Sequence, residues 1–257
     1  MLLAVDVGNT HIVLGLYEGE RLVHDFRIES SRGRTVDELH VLLHNLLGVA
    51  GVDRSKVRGS ILASVVPNLG EVFEEAVDRA FDLDMLVVGP GLKTGMPILY
   101  ENPREVGADR IVNAVAAYER CEGAVVVVDF GTATTFDCIS ERGEYLGGCI
   151  APGISISANA LFARAAKLPR VEIKKPPRTI GRNTVHSMQA GIIFGYVGLV
   201  DGLVDRIRVE MDCDISVLAT GGLAPLLTPE SRCIQDFDEF LTLDGLRILW
   251  DRNRQPP

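Results

Sequence analysis

Apolar and polar positions alternate in two rhythms along the first part of the chain. Leu2 to Val7 is an apolar run broken only by Asp6, and Ile12 to Tyr17 follows after Gly8-Asn9-Thr10. Glu18-Gly19-Glu20 reads as a turn, and Arg21 to Ile28 alternates, so the pattern predicts a meander of three strands. The period then changes. Thr35 with Glu38 fits a capping box, and Leu39, Leu42, Leu43, Leu46 and Leu47 make one helical stripe that Gly48 is expected to stop. Ser60 to Val66 reads as a strand and Met85 to Val88 as a shorter one. Between them Val72, Phe73, Ala76, Val77 and Ala80 put an amphipathic helix over Glu71 to Phe81.

The middle of the chain repeats the opening. Val128-Asp129-Phe130-Gly131-Thr132 resembles Val5-Asp6-Val7-Gly8-Asn9, and Gly143-Glu144 answers Gly19-Glu20, at offsets of 123 and 124 residues. Two matches at nearly one spacing, about half the chain, indicate an internal duplication. Leu218-Ala219-Thr220 matches Leu62-Ala63-Ser64 at a larger offset, which places an insertion around residues 152–183. Lys174-Lys175-Pro176-Pro177-Arg178 lies there as an expected exposed loop. Strands alternating with helices predict an α/β protein. Its two similar domains, each a mixed sheet flanked by helices, are expected at residues 1–122 and 123–257.

Composition narrows the functional classes. The 257 residues are 47% hydrophobic and 24% charged, which fits a folded globular chain. The net charge of −9 speaks against nucleic acid as a default partner, because phosphate neutralisation drives that binding. Cys121, Cys138, Cys149, Cys213 and Cys233 include no CxxC pair, so neither a zinc site nor a disulfide framework is expected. The start MLLAVDVGNT has no cationic segment, and unbroken apolar runs such as Ala124 to Val128 are too short to span a bilayer. A cytoplasmic protein with no membrane partner is expected.

Candidate chemistry gathers at strand ends. In Asp6-Val7-Gly8-Asn9-Thr10, Gly8 admits close backbone approach, and amides with the Asn9 and Thr10 side chains can cradle phosphate. Asp6 can hold magnesium directly or through water. A plain hairpin turn explains the same residues. Asp129-Phe130-Gly131-Thr132-Ala133-Thr134-Thr135 is a second such turn, although threonine is common in strands anyway. Two copies, each capping a buried strand, favour a clamp on one nucleotide. Thr220-Gly221-Gly222, after the strand Ser216 to Ala219, is either a simple turn or a flat surface for an adenine. Gly107-Ala108-Asp109-Arg110 opens a helix whose Ile111, Val112, Ala114, Val115 and Tyr118 share a face. Asp109 there is a helix cap or a proton acceptor, and Arg110 can bind a carboxylate through both its nitrogens. Tyr100-Glu101-Asn102-Pro103 is a loop that can add contacts, and Gly147 to Gly153 admits another backbone or a ligand. Gly191, Gly195 and Gly198 mark a tightly packed helix in the core or at a dimer contact.

Together these segments resemble the type III pantothenate kinases, within the superfamily of actin, sugar kinases and Hsp70 ATPases. The resemblance rests on Asp6 to Thr10, Glu101-Asn102-Pro103 through Arg110, Asp129 to Thr134, Gly147-Gly148 with Pro152-Gly153, and Asn183-Thr184. It implies two duplicated actin-like ATPase (ribonuclease H-like) domains and ATP-dependent phosphorylation of pantothenate, the first step toward coenzyme A. By the same resemblance Asp6, Val7, Gly8, Asn9, Thr10, His11, Ile12 and Val13 hold the ATP phosphates, joined by Thr132, with Gly221 and Gly222 near the nucleotide. Asp109 is the general base. Tyr100, Gly107, Ala108, Asp109, Arg110 and Thr184 line the pantothenate site. Asp129 binds potassium or ammonium, and Asp6 is placed with Mg2+. A homodimer is implied, with the substrate site near its interface. Two rivals stand beside this reading. A sugar or acid kinase of the same superfamily would differ only around Tyr100, Arg110 and Thr184. A regulatory nucleotide-binding protein would not need Asp109, and the acidic chain gives it no basic surface.

Overall fold

The structure is a computed structural model that describes residues Met1–Arg254. The expected meander is present. β1 (Leu2–Val7), β2 (His11–Glu18) and β3 (Arg21–Glu29) are antiparallel neighbours, and α1 (Val36–Ala50) follows. β4 (Gly59–Ser64) then pairs parallel with β1, and after α2 (Leu69–Phe81) the short β5 (Leu86–Val87) pairs parallel with β4. The sheet order is β3-β2-β1-β4-β5. The second half repeats it. α3 (Ala108–Arg120) precedes β6 (Ala124–Phe130), β7 (Ala133–Ile139) and β8 (Tyr145–Pro152), a second antiparallel meander. After α4 (Ile154–Arg164) and α5 (Thr184–Met211), β9 (Ile215–Thr220) joins β6 in parallel. α6 (Ala224–Leu227), β10 (Asp236–Phe237) and α7 (Leu241–Arg254) complete the chain. The second sheet runs β8-β7-β6-β9-β10, the same order element for element.

The two-sheet repeat explains why β1, β4 and β6 carry almost continuous apolar runs. Central strands covered on both faces have no solvent side to alternate with. Val5, Val7, Ile12, Leu14 and Leu16 meet Leu39, Leu43 and Leu47 of α1 and Phe73, Ala76 and Val77 of α2 in one core. Val126, Val128 and Phe136 meet Ile193, Val200 and Val204 of α5 in the other. Thr35 caps α1 as expected: its hydroxyl accepts from the Glu38 amide, and the Glu38 carboxylate accepts from the Thr35 amide.

Four local expectations need correction. Gly48 does not stop α1; the helix runs on to Gly51, whose φ of 65° supplies the left-handed C-cap. The Glu71 helix begins two residues earlier, because Leu69 is apolar and buried at the start of α2. α5 is 28 residues long and apolar enough to cross a membrane by length and composition, a signal hidden by its interspersed glycines. Met188, Ile192, Ile193, Val200, Val204 and Ile207 of that helix are buried in the second core.

The fourth concerns the domain boundary. The chain forms two compact units that do not split at residue 122: the first takes Met1–Pro97, Glu101–Ala116 and the chain from Leu241 on, and the second takes Ile98–Tyr100 and Ala117–Phe240. α7 returns to the first unit because its side chains fit there. Leu241, Leu243, Leu246 and Leu249 are buried, and the Tyr17 hydroxyl donates to Asp244 at 2.7 Å. Gly59 leaves room for the Trp250 ring, and Gly245 lies so close to the Val112 carbonyl that a Cβ would overlap it.

Candidate active site

The first candidate turn closes on itself. Asp6 and Val7 end β1, and the Gly8 amide donates to the His11 carbonyl at 3.0 Å. Asn9, Thr10 and His11 are exposed, while Asp6 is half-buried. The Ser30 amide, beyond β3, donates to the Thr10 carbonyl at 3.0 Å. Val7 and Ile12 point into the first core, so these two can offer a ligand only their backbone.

The second turn is closed by other parts of its own unit. The Gly153 amide donates to the Thr132 carbonyl at 3.1 Å, and a Cβ on Gly153 would overlap that carbonyl. Gly221 has φ +89°, and a Cβ there would stand 2.5 Å from Asp129 Oδ1. Register explains the second contact, since Asp129 on β6 is level with Thr220 on β9. Gly221 thus lies beside the carboxylate proposed for a cation, and Thr132 is exposed on the turn itself. Gly222 follows, also exposed, before α6.

The Gly107-Ala108-Asp109-Arg110 segment forms the start of α3 in the first unit. The Arg110 amide donates to Asp109 Oδ1 at 2.8 Å. A Cβ on residue 107 would stand 2.6 Å from the same oxygen, so glycine is what lets the carboxylate lie against the helix start. Burial pushes the Asp109 pKa up, partly offset by the Arg110 amide and the Arg110 charge. A carboxylate held this way is a stronger proton acceptor than an exposed one. Arg110 itself is buried.

The remaining substrate-site residues fall in the second unit. Thr184 is the first residue of α5, whose N-cap Asn183 accepts from the His186 amide at 2.8 Å. Thr184 lines a cavity of about 780 Å³ with Arg182, Asn183, Ser157, Met188 and Tyr196. In that cavity Ser157 and Tyr196 share a short hydrogen bond, and Tyr196 donates on to the Pro152 carbonyl at 2.8 Å. Tyr100 does not line this cavity; its ring packs over Gly147 instead.

The family model of type III pantothenate kinases matches residues 2–206. The chain belongs to that family. Curated type III pantothenate kinases agree over essentially the full length. The one from Pelobacter propionicus is 60% identical over 99% of this chain and 100% of its own. The one from Myxococcus xanthus is 58% identical over 98% and 99%. Among solved structures, a candidate 2-dehydro-3-deoxygalactonokinase from Sinorhizobium meliloti superposes with a TM-score of 0.59 at 11% identity, covering 100% of this chain and 98% of that one. At that identity it establishes the fold, the actin-like sugar-kinase architecture with two mixed five-stranded sheets.

For a type III pantothenate kinase, the metal donors are sparse. Among the described residues no three His, Cys, Asp or Glu side chains converge as a metal cage. A kinase using ATP takes Mg2+, which binds through one or two carboxylates and completes its shell with phosphate and water. Asp6 is half-buried at a strand end and fits that role. Sequence reasoning missed one buried pair beside the second turn. Asp137 is fully buried on β7 and accepts from the Tyr145 hydroxyl at 2.7 Å and from Thr135 at 3.2 Å.

Proposed function

We propose that the protein transfers the γ-phosphoryl group of ATP to the primary hydroxyl of pantothenate, giving 4′-phosphopantothenate, the first step toward coenzyme A. The observation that carries this reading is full-length identity of 58–60% to type III pantothenate kinases, in a chain whose Asp109 is held at a helix start. Asp109 accepts the hydroxyl proton as the new O–P bond forms. The Arg110 amide fixes one of its oxygens, Oδ1, against the helix start. Arg110 pairs with the pantothenate carboxylate, and Tyr100 and Thr184 bind its polar groups.

The turn from Asp6 to Val13 holds ATP phosphates through the exposed Asn9 and Thr10, with Gly8 admitting close backbone approach. Thr132 also contributes, and Gly221 and Gly222 are assigned to the nucleotide. Asp6 would be the protein carboxylate for Mg2+, which would supply neutralisation of the phosphate charge. Asp129 holds potassium or ammonium. Phosphoryl transfer needs positioning and charge neutralisation more than covalent chemistry, and this residue set supplies both. The enzyme works in the cytoplasm as a homodimer. Gly191, Gly195 and Gly198 of α5, exposed with open space around them, provide the packing face.

The test is ADP release by the purified protein with MgATP, with and without pantothenate, in potassium chloride and in sodium chloride. Pantothenate-dependent release that collapses in sodium is the expected result. Dependence on pantothenate without cation sensitivity removes the role of Asp129 and keeps the kinase. No release from folded protein overturns the reading.

A further inference from the structure

The strand β8 carries an irregularity opposite β7. Ile139 is paired with Tyr145 and Cys138 with Gly147, so Leu146 is an extra residue without a partner in the ladder. Such a bulge bends its strand and re-aims the residues beyond it. Gly147, just past it, has φ +121°, a conformation that side-chain-bearing residues rarely adopt.

The bulge receives a piece of chain from far away in sequence. Ile98 forms a parallel bridge with Tyr145, and the Leu99 amide donates to the Tyr145 carbonyl at 2.8 Å. The Tyr100 ring lies over Gly147, its Cδ2 and Cε2 each 3.4 Å from where a Cβ would stand. These contacts are why Ile98–Tyr100 belongs to the second unit although the chain on both sides belongs to the first. Leu99 is 55% exposed, so burial of its side chain does not hold the segment in place. The backbone bridge and the Tyr100–Gly147 contact do. Beneath them the Tyr145 hydroxyl is tied to the buried Asp137 at 2.7 Å, which fixes the strand at the point where the bulge begins.

We propose that the Leu146–Gly147 bulge is a positioning device for Tyr100, and that Gly147 is a specificity-determining residue for pantothenate that acts through the Tyr100 phenol. The proposal rests on the proposed function, in which Tyr100 touches pantothenate. A phenol ordered before substrate arrives costs less to immobilise on binding. Tyr100 sits in the long connection between β5 and α3, where this anchorage holds its ring in place. Loss of the anchorage therefore appears in substrate affinity, while the chemistry at Asp109 is unaffected.

The test compares Gly147→Ala, Tyr100→Ala and their double variant, with Gly123→Ala as control. Gly123 also has positive φ (+83°), in the same unit, but nothing lies within 4 Å of its Cβ position, so it introduces backbone strain without touching Tyr100. Pantothenate KM, ATP KM and kcat are measured for each folded variant. Gly147→Ala is expected to raise pantothenate KM about tenfold, with kcat and ATP KM within about twofold of wild type and Gly123→Ala at the wild-type KM. The double variant is expected to match Tyr100→Ala, because the glycine acts only through that ring. If Tyr100→Ala raises KM but Gly147→Ala does not, the positioning role is overturned and the substrate role of Tyr100 stands. If Tyr100→Ala leaves pantothenate KM unchanged, the substrate role falls and the proposal with it. Should Gly147→Ala fail to fold, Leu99→Pro carries the test, since it removes the amide that bonds Tyr145 on an exposed residue. The same KM rise is expected there, and an unchanged KM overturns the proposal.

Discussion

The turn after β1 and the turn after β6 end equivalent strands in sheets of identical order, and they are built differently. The first is closed locally: Gly8 bonds His11 three residues on, and the neighbouring strand adds Ser30. The second is closed by tertiary packing. Gly153, at the start of α4, sits on the Thr132 carbonyl, and Gly221, after β9, sits on Asp129. Duplication thus preserved the sheet while dividing the work. The first turn presents the exposed Asn9, Thr10 and His11. The second is a fixed surface whose carboxylate is held in place by glycines distant in sequence. The third strands share a bulge, at Val23 in β3 and at Leu146 in β8, but only β8 is glycine-rich past it and receives Ile98–Tyr100.

The largest effect belongs to neither turn, and it separates chemistry from binding. Asp109→Asn is expected to lower kcat by roughly 10²–10⁴-fold, the usual contribution of a general base, with ATP affinity retained in equilibrium binding. Because burial raises the Asp109 pKa, the acid limb of kcat/KM is expected above the ordinary aspartate value of about 3.9. Activity falls as pH drops through that pKa, and the limb vanishes in the variant. The same upward shift is a stability cost: absent below the unfolded-state pKa, it develops as pH rises and is complete above the folded-state pKa. Asp109→Asn is therefore expected to unfold no more easily than wild type at neutral pH, which thermal denaturation checks.

The next effect bears on the turns directly. Gly153→Ala forces a methyl group onto the Thr132 carbonyl and is expected to cost about 2–3 kcal/mol in chemical denaturation. Gly8→Ala meets the His11 carbonyl at 3.0 Å in a turn free to adjust, and about 1 kcal/mol is expected. Equal losses would break the distinction between a local and a tertiary turn. Thr184→Ala is expected to raise pantothenate KM about tenfold while kcat changes less, in keeping with a lost hydrogen bond to a buried substrate group. Steady-state kinetics with varied pantothenate decides it, and wild-type KM would remove Thr184 from the site.

The smallest effect sharpens the picture of the second turn. Thr134 is fully buried, and its hydroxyl has no hydrogen-bond partner in the structure. Thr134→Val, similar in shape, is expected to be neutral or to stabilise by up to about 1 kcal/mol, since it removes an unsatisfied polar atom. A loss of stability would mean that the hydroxyl has a partner in the working enzyme.

What could be read from the sequence was local. The meander strands, the Thr35–Glu38 box and the two Asp-x-Gly turns follow from period, caps and short-range chemistry. The helix stop at Gly48 misled because glycine alone does not end a helix; the left-handed C-cap falls at Gly51. The return of α7 to the first unit was illegible, since it depends on Gly59 fitting Trp250 and Gly245 fitting Val112, pairs separated by more than a hundred residues. The site divides in the same way. Asp109 stood out in its motif, while the glycine contacts at Thr132, Asp129 and Tyr100 exist only once the chain is folded. Apolar alternation had no means of flagging Asp137, because its partner Tyr145 lies on the next strand.

The most direct measurement is the mass of the product. Pantothenate and MgATP are incubated with wild type and with Asp109→Asn in potassium chloride, and the acceptor is analysed by mass spectrometry. The expected result is stoichiometric conversion to 4′-phosphopantothenate by wild type and almost none by a folded, ATP-binding Asp109→Asn. Unmodified pantothenate with the wild-type enzyme, or equal conversion by both, would contradict it.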